Sequence, residues 1–526
     1  MHSAGLLAFL ASLPIADSVV PPARPRLIVV ITVDQLRPDY FTRWKSQLTG
    51  GLGQLANEGA FFTEGYQDHA LTETAPGHAT ILSGTWPAHN GIIRNSEGVQ
   101  DTLAPLIGIA GSGASPRRFR GTTLFDWLKA ADPTARALSV SRKDRGAILT
   151  IGLAKEQVYW YQSGMFTTSR YYADTLPTWV QAFNARRLPF KAANMTWTPL
   201  LPDSAYLEPD SEPWENGGSN VVFPHRLPAD SLRAALALPG VPAIDSLTLL
   251  FALDGFEALK LGRKGTDILA VSLSGTDAVG HLFGPDSREL HDQVLRLDRY
   301  LAWFIKRVTD RVGGGRDNVV VVLTSDHGVT SFPARTRAKG GTAYDVVLDT
   351  LITAVNAELD RVAATSRRWL EFESGMLLMR DNGRFAAMGI RTDSILDVLT
   401  TRILRVPGVA RIIKPADLAR ADTASDPVAR RWLHHLTPDA SVALTVSLQP
   451  GSAWGDRGVP VAMHGQPSDD DAHVPIIFWG SGIRKGSYAT RMNTVDIAPT
   501  LAALLGISPL SLVDGRARTD ALMPRN

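Results

Sequence analysis

Three stretches of the chain run apolar almost without interruption and then break on an acid: RLIVVITVDQL (residues 26–36), DILAVSLSGTD (267–277) and DNVVVVLTSDHG (317–328). They lack the apolar/polar alternation of a half-exposed strand. Continuous β-branched runs of this length predict strands buried on both faces, as in a parallel sheet covered by helices. HVPIIFWGSGI (473–483) predicts a fourth, shorter strand. Between these runs the pattern changes to helical, in TLFDWLKAAD, SLTLLFALDGFEALKLG, ELHDQVLRLDRYLAWFIKRV and the late TVDIAPTLAALLG. Strands alternating with helices predict an α/β fold: a doubly wound, mostly parallel central sheet with helices on both faces.

Two regions break the alternation. Residues of about 150–235 are rich in aromatics and proline (VYWYQSGMFTTSRYYADTLPTWVQAFN) and read as an insertion or cap. Residues of about 335–455 mix helix-like and strand-like pieces and read as a second insertion of mixed α/β character, with the core resuming near Val461. The α/β domain is thus expected over residues 26–526. Residues 1–25 read as a signal peptide and linker: the apolar run AGLLAFLASL is too short to span a membrane and leads into a Pro-rich stretch. This predicts a periplasmic or secreted protein. No later stretch reads as a transmembrane helix.

Composition narrows the chemistry. The 526 residues are 44% apolar and 20% charged, with a formal net charge of +2. No basic stripe with interleaved aromatics is present, so no nucleic-acid footprint is expected. There is no cysteine, which excludes disulfides, thiolate metal sites and cysteine nucleophiles and suits an oxidising compartment.

The buried strands lead into carboxylates: Asp34, Asp277 and Asp326. In open α/β sheets, ligands sit outside the carboxyl ends of the strands. Three carboxylates gathered there repel one another and cost desolvation unless a cation neutralises them. His327 follows Asp326 directly. His281 lies four residues after Asp277, so a helical turn would bring both to one ion. Imidazole with carboxylate is a zinc-type ligand set. MHGQPSDDDAH supplies further candidates in His464 and His473. Taken singly, an Asp after a strand is a turn residue or helix cap; together on three strands, these features point to metal. Thr74, ahead of PGHATILSG, sits at a helix start, where it is either a cap or a nucleophile.

The strings TVDQLRPDY, TETAPGHATILSGTWPAHNGIIRN, SRKDRGAI, SGTDAVGHLFGP, TSDHGV, MHGQPSDDDAHVPIIFWG and NTVDIAPTLAALLG occur in one order across most of the chain. In them the sequence resembles the alkaline phosphatase superfamily, most of all the two-zinc, Thr-nucleophile alkaline phosphatases of the phosphate-irrepressible bacterial type. That resemblance implies one zinc held by Asp277, His281 and His464, and a second held by Asp34, Asp326, His327 and Thr74. It implies Thr74 as nucleophile, with Thr72 a near competitor. Asn95, Lys143 and Arg145 are implied as phosphoryl-binding residues. The implied substrates are small-molecule phosphate monoesters, hydrolysed through a phosphothreonine with two Zn²⁺ per chain.

Three other functions compete. A nucleotide pyrophosphatase/phosphodiesterase of the same fold shares the metals, the Thr and the Asn; the Lys143/Arg145 pair favours the monoester, which carries one more anionic oxygen. A sulfatase would use SFPAR (residues 331–335) as a modified-serine motif, but that string lies far from Thr74 in the chain. A non-catalytic metal-binding relative would not need the nucleophile and phosphoryl-binding residues together. His78 reads as structural. His69, His89, His434 and His435 have no ligand-like context.

Overall fold

The continuous apolar runs do become the middle of a sheet buried on both faces. The structure, a computed structural model, describes residues 24–379, 382–389, 391–455 and 462–524. Nearly all of the expected signal segment and Val461 lie outside the described residues. The central sheet contains β1 (Leu27–Val33), β2 (Ala60–Phe62), β3 (Ala137–Ser141), β4 (Gln157–Gln162), β5 (Met165–Thr167), β6 (Asp267–Leu273), β7 (Val319–Thr324), β8 (Ile476–Gly480) and β9 (Gly486–Tyr488). Their order across the sheet is β9-β2-β8-β7-β1-β6-β3-β4-β5. From β7 to β4 every pairing is parallel. β8 pairs antiparallel with β7 and with β2, and β5 antiparallel with β4. The sheet is mostly parallel, and the HVPIIFWGSGI run supplies one of its reversed strands.

Alternate residues of β1 enter two separate cores. Leu27, Val29, Ile31 and Val33 pack on one side with α3 (Ala243–Leu259) and α5 (Arg288–Val312). Ile28 and Val30 pack on the other with α1 (Thr74–Ser83), α2 (Asp144–Ile151) and α6 (Ile497–Leu505). A further short helix, α4 (Gly275–Phe283), follows β6. Each fully buried aliphatic side chain contributes about 1.5–3 kcal/mol, and both faces collect it. That is why the strands carry no polar alternation.

The expected boundary of the first insertion is corrected at its start. Residues 157–162 and 165–167 are β4 and β5 of the central sheet, not cap. Their aromatics mislead because Tyr159, Tyr161 and Phe166 pack into the same core as β1. The remainder, to about residue 235, is short helices, loops and one antiparallel pair of two-residue strands, Thr196–Trp197 with His225–Arg226.

Within the second insertion, strands 370–373, 376–379, 442–448 and 409–413 form a separate sheet in that order. It has its own core of Trp369, Leu377, Leu399, Leu444 and Val446. Helix Pro427–His435 joins it to the main domain, with Trp432 packed among Ala70, Leu71 and Met376. Beside it, Asp68 is 2% exposed and accepts from Arg430 (2.7 Å), Arg431 (3.3 Å) and Arg491 (2.9 Å). Burial by itself pushes the Asp68 pKa up; the three guanidiniums outweigh it and hold the carboxyl below its usual value.

A carboxyl depressed in the folded state contributes stability above its unfolded pKa and loses it as pH falls through the folded value. Asp68 is thus expected to contribute fully at neutral pH and to lose its contribution as pH drops below about 4. Asp68→Ala is expected to cost about 3–5 kcal/mol at pH 7, because it strands buried guanidinium charge. Denaturant melts at pH 7 and pH 3 check both: the variant's deficit should shrink at the lower pH.

Candidate active site

The order β7-β1-β6 places three strand ends side by side, and each delivers a carboxylate. Asp34 follows β1 directly, Asp326 lies two residues beyond β7, and Asp277 stands in the first turn of α4 after β6. All three are buried. Gln35, at φ 67°, crosses between them: its N–H donates to Asp326 Oδ1 and its Nε2 to Asp277 Oδ1, both at 3.2 Å.

Asp277 and His281 are one turn apart on α4, with Nε2 to Oδ1 at 3.1 Å. His464 Nε2 lies 3.2 Å from His281 Nε2 and 3.7 Å from Asp277 Oδ1. These separations suit the edges of a ligand tetrahedron around a metal bonded at about 2.0–2.2 Å. A second group unites Asp34, Asp326 and His327. Here His327 Nε2 is 3.4 Å from Asp34 Oδ1 and 3.7 Å from Asp326 Oδ2. His327 also stacks on His464 at 3.6 Å between centroids, which brings it within reach of Asp277 as well.

Two further observations test the fit to metal. Each of the three histidines points Nδ1 at a backbone carbonyl: His281 at Ala462 (2.8 Å), His327 at Gly328 (3.0 Å) and His464 at Thr72 (2.8 Å). A carbonyl only accepts, so Nδ1 carries the proton and the Nε2 lone pair faces the carboxylates, the tautomer a metal ligand needs. Asp34 Oδ1 and His327 Nε2 are buried with no hydrogen-bond partner among the described residues, and Asp326 Oδ2 meets the His78 ring at 3.2 Å. The residues fit divalent metal ions of the imidazole/carboxylate class.

One ammonium stands among these acids. Lys143 Nζ is 2.5 Å from Asp34 Oδ2, 2.8 Å from Asp277 Oδ2 and 3.1 Å from Thr74 Oγ1. Burial pushes the Asp34 carboxyl up, and Asp277 and Asp326 add to the effect. Asp277, equally buried, is held well below the usual range because Lys143 and His281 outweigh desolvation. Burial drives the His327 pKa well below its ordinary value, consistent with a neutral imidazole.

Thr74 is the first residue of α1, not its cap; Glu73 is the cap. Its side chain is 1% exposed. The Thr72 hydroxyl is turned the other way, donating to the Gln466 carbonyl at 3.1 Å. Asn95 Oδ1 accepts from the Ala75 N–H at 2.8 Å, which leaves its Nδ2 uncommitted among the described residues. Arg145, in the first turn of α2, is half-buried, with its Nε unpartnered among the described residues. His78 Nδ1 reaches the Thr74 carbonyl and its Nε2 the Ser272 hydroxyl, both at 2.9 Å. His473 is outside the cluster, bonded to the Thr63 carbonyl and stacked on Tyr66. Ser331 and Arg335 of SFPAR both engage Asp286.

Local sequence does not point to Gln35 or Glu73. Gln35 sits inside the TVDQL string, and only its left-handed backbone turns it toward both acids. Glu73 sits between the two candidate threonines; its role appears only in the folded contacts.

Comparison with known proteins agrees with this geometry. Residues 28–340 match the family model described as type I phosphodiesterase / nucleotide pyrophosphatase. The chain is 32% identical to alkaline phosphatase PhoV of Synechococcus elongatus, over 95% of this chain and 93% of that one. It is 32% identical to alkaline phosphatase PhoK of Sphingomonas sp, over 94% and 90%. The crystal structure of alkaline phosphatase PafA superposes with a TM-score of 0.88 at 29% identity, covering 96% of this chain and 100% of that one. Murine ectonucleotide pyrophosphatase/phosphodiesterase 5, at 14% identity and a TM-score of 0.53, shares the fold. The chain belongs to the type I phosphodiesterase / nucleotide pyrophosphatase family, within the alkaline phosphatase superfamily.

Proposed function

We propose that this chain is a zinc-dependent alkaline phosphatase that hydrolyses phosphate monoesters through a phosphothreonine at Thr74. The observation that carries the reading is the position of Thr74 Oγ1: buried at the start of a ten-residue helix and 3.1 Å from the ammonium that also touches Asp34 and Asp277. Relatives named alkaline phosphatase, aligned over nine-tenths or more of both chains, support it.

Two Zn²⁺, one on Asp277, His281 and His464 and the other on Asp34, Asp326, His327 and Thr74, would supply Lewis-acid stabilisation of attacking and leaving oxygens. The chain's own groups do the rest. Thr74 Oγ1 attacks phosphorus as the bond to the leaving oxygen breaks; the Thr74 proton ends on that oxygen, which departs as the alcohol, and the phosphoryl group rests on Thr74. Water then attacks phosphorus, the Thr74 bond breaks, one proton of the water restores the Thr74 hydroxyl, and phosphate leaves. Asn95 Nδ2, Lys143 and Arg145 pair with phosphoryl oxygens, and the α1 N-terminus favours their charge.

Charge supports the monoester. Three carboxylates against one lysine leave the innermost groups two negative charges in excess. With two divalent ions held there the sum would become two positive, which would match a phosphoryl dianion. The family description keeps a diesterase reading in play. A diester offers one fewer anionic oxygen, so Lys143 and Arg145 have less to bind. An exported location is part of the proposal, on the AGLLAFLASL run and the absence of cysteine. Among the described residues no single helix is long and apolar enough to cross a membrane.

Thr74→Ala is expected to lower p-nitrophenyl phosphate turnover by at least about 10³-fold while metal analysis still returns two zinc ions per chain. EDTA should abolish the wild-type activity and Zn²⁺ restore it; full activity after exhaustive chelation would sink the proposal. Lys143→Ala with Arg145→Ala is expected to cut monoester kcat/KM by about 10²–10³-fold and diester kcat/KM by about tenfold or less. Equal losses on paired substrates would favour the diesterase.

A further inference from the structure

A hairpin tip from the second insertion reaches the turn that carries the nucleophile. Strands 370–373 and 376–379 pair antiparallel, and the chain reverses over Ser374 and Gly375 at φ 45° and 88°. Two consecutive left-handed residues are what a tight two-residue hairpin turn demands. Glycine is favoured at both, and a serine at the first costs about 1 kcal/mol. The serine is explained by its hydroxyl, which donates to Glu73 Oε1 at 2.7 Å across 301 residues of chain.

Glu73 is the pivot of this contact. It is buried, and its other oxygen accepts the Asn95 backbone N–H at 2.9 Å. Asn95 returns the connection, its Oδ1 accepting the Ala75 N–H at 2.8 Å. Residues 73, 74 and 75 are thereby locked to residue 95. On the outer side of the loop, Glu373 Oε2 accepts from Arg94 at 2.7 Å and from Ser96 at 2.9 Å, so the same tip grips both neighbours of Asn95. A Cβ on Gly465 would sit 3.6 Å from Glu73 Oε1 and 3.8 Å from Ser374 Cβ, so the turn after His464 packs on the same pivot. A carboxylate so near a site for anions is electrostatically unfavourable. It is accounted for by its two partners here, both donors, which an acceptor-only carboxylate serves together.

We infer that Glu73 and Ser374, backed by Glu373, are positioning residues: they hold Thr74 and Asn95 at the separation at which one phosphoryl group meets both. The inference rests on the roles of Thr74 and Asn95 proposed above. It gives the second insertion a part in the reaction without contact with the reacting atoms.

A double-mutant cycle on the zinc-loaded full chain tests it, with p-nitrophenyl phosphate as substrate and inorganic phosphate as inhibitor. Glu73→Ala is expected to lower kcat/KM by about 30–100-fold and to weaken phosphate inhibition in parallel, as misplacement of a reacting group does. Ser374→Ala should lower kcat/KM by about 3–10-fold, and Glu73→Gln, which keeps an acceptor for Asn95, should stay within about threefold of wild type. In an Asn95→Ala background, Glu73→Ala and Ser374→Ala should each add less than about threefold. Losses that multiply fully in that background overturn the inference, as do wild-type kinetics in both single variants. If Glu73→Ala does not fold, the Ser374/Asn95 cycle decides between the same two outcomes. An Asn95→Ala enzyme with unchanged monoester turnover would instead remove the phosphoryl-binding role itself, and is read separately from that single variant.

Discussion

The structure turns on the gathering of Asp34, Asp277 and Asp326 within reach of one another and of a single ammonium, Lys143, in a buried region. Uncompensated, such carboxylates would protonate or repel one another, because desolvation alone costs several kcal/mol per ion. The surrounding residues are chosen accordingly. Gln35 donates to two of the acids, three histidines commit Nδ1 to backbone carbonyls and turn the lone pairs of Nε2 toward the acids, and Asp34 Oδ1 is left without a hydrogen-bond donor among the described residues. A protein that needed only to neutralise three acids would use arginines, as it does around Asp68. Lone pairs in that place are a preparation for cations from outside the chain.

Sheet topology makes the gathering possible. β7, β1 and β6 are adjacent and parallel, so their carboxyl ends open on the same edge. α1 is pressed against that edge: a Cβ on Gly77 would collide with the Asp326 backbone carbonyl. The helix that begins with Thr74 and the strand end that carries Asp326 and His327 are in direct contact. Thr74 and the acids cannot shift independently by much.

The parts legible in the sequence are those written within one segment. The three central strands show as uninterrupted β-branched runs, and Asp277 and His281 as an i,i+4 pair on what is in fact a helix. β3 leaves no such mark, because Ala137–Ser141 is five residues with two serines, whose hydroxyls bond to the Ala147 carbonyl and to Ser272. β4 resembles cap because its buried residues are aromatic, and aromatic clusters read equally well as a lid. His464 and His473 are rivals on sequence. The family-like HG string favours His464, and the fold separates them physically, since one meets His281 and the other bonds to the Thr63 carbonyl. Glu73 and Ser374 lie beyond local pattern altogether, because their meaning is a contact between residues 301 apart.

That last class of residue follows from how the site is divided between rigid and adaptable parts. The acids stand on or just past strand ends, which the sheet fixes. Thr74 and Asn95 stand at the entry to a helix and in a loop, where backbone position is set by whatever bonds the connecting peptides make. Residues 72 to 75 each make such a bond: the Thr72 carbonyl to His464, the Glu73 carboxylate to Asn95 and Ser374, the Thr74 carbonyl to His78, the Ala75 N–H to Asn95. Two of these partners, His464 and Ser374, come from the second insertion or the segment that closes it. A minimal sheet with its helices would place the three acids and leave Thr74 free to move by an ångström, a displacement that costs about 10²-fold in rate for any reacting group. The insertion is therefore best understood as the outer half of the support for Thr74, with Asp68 and its three arginines fastening it to the half that holds the acids.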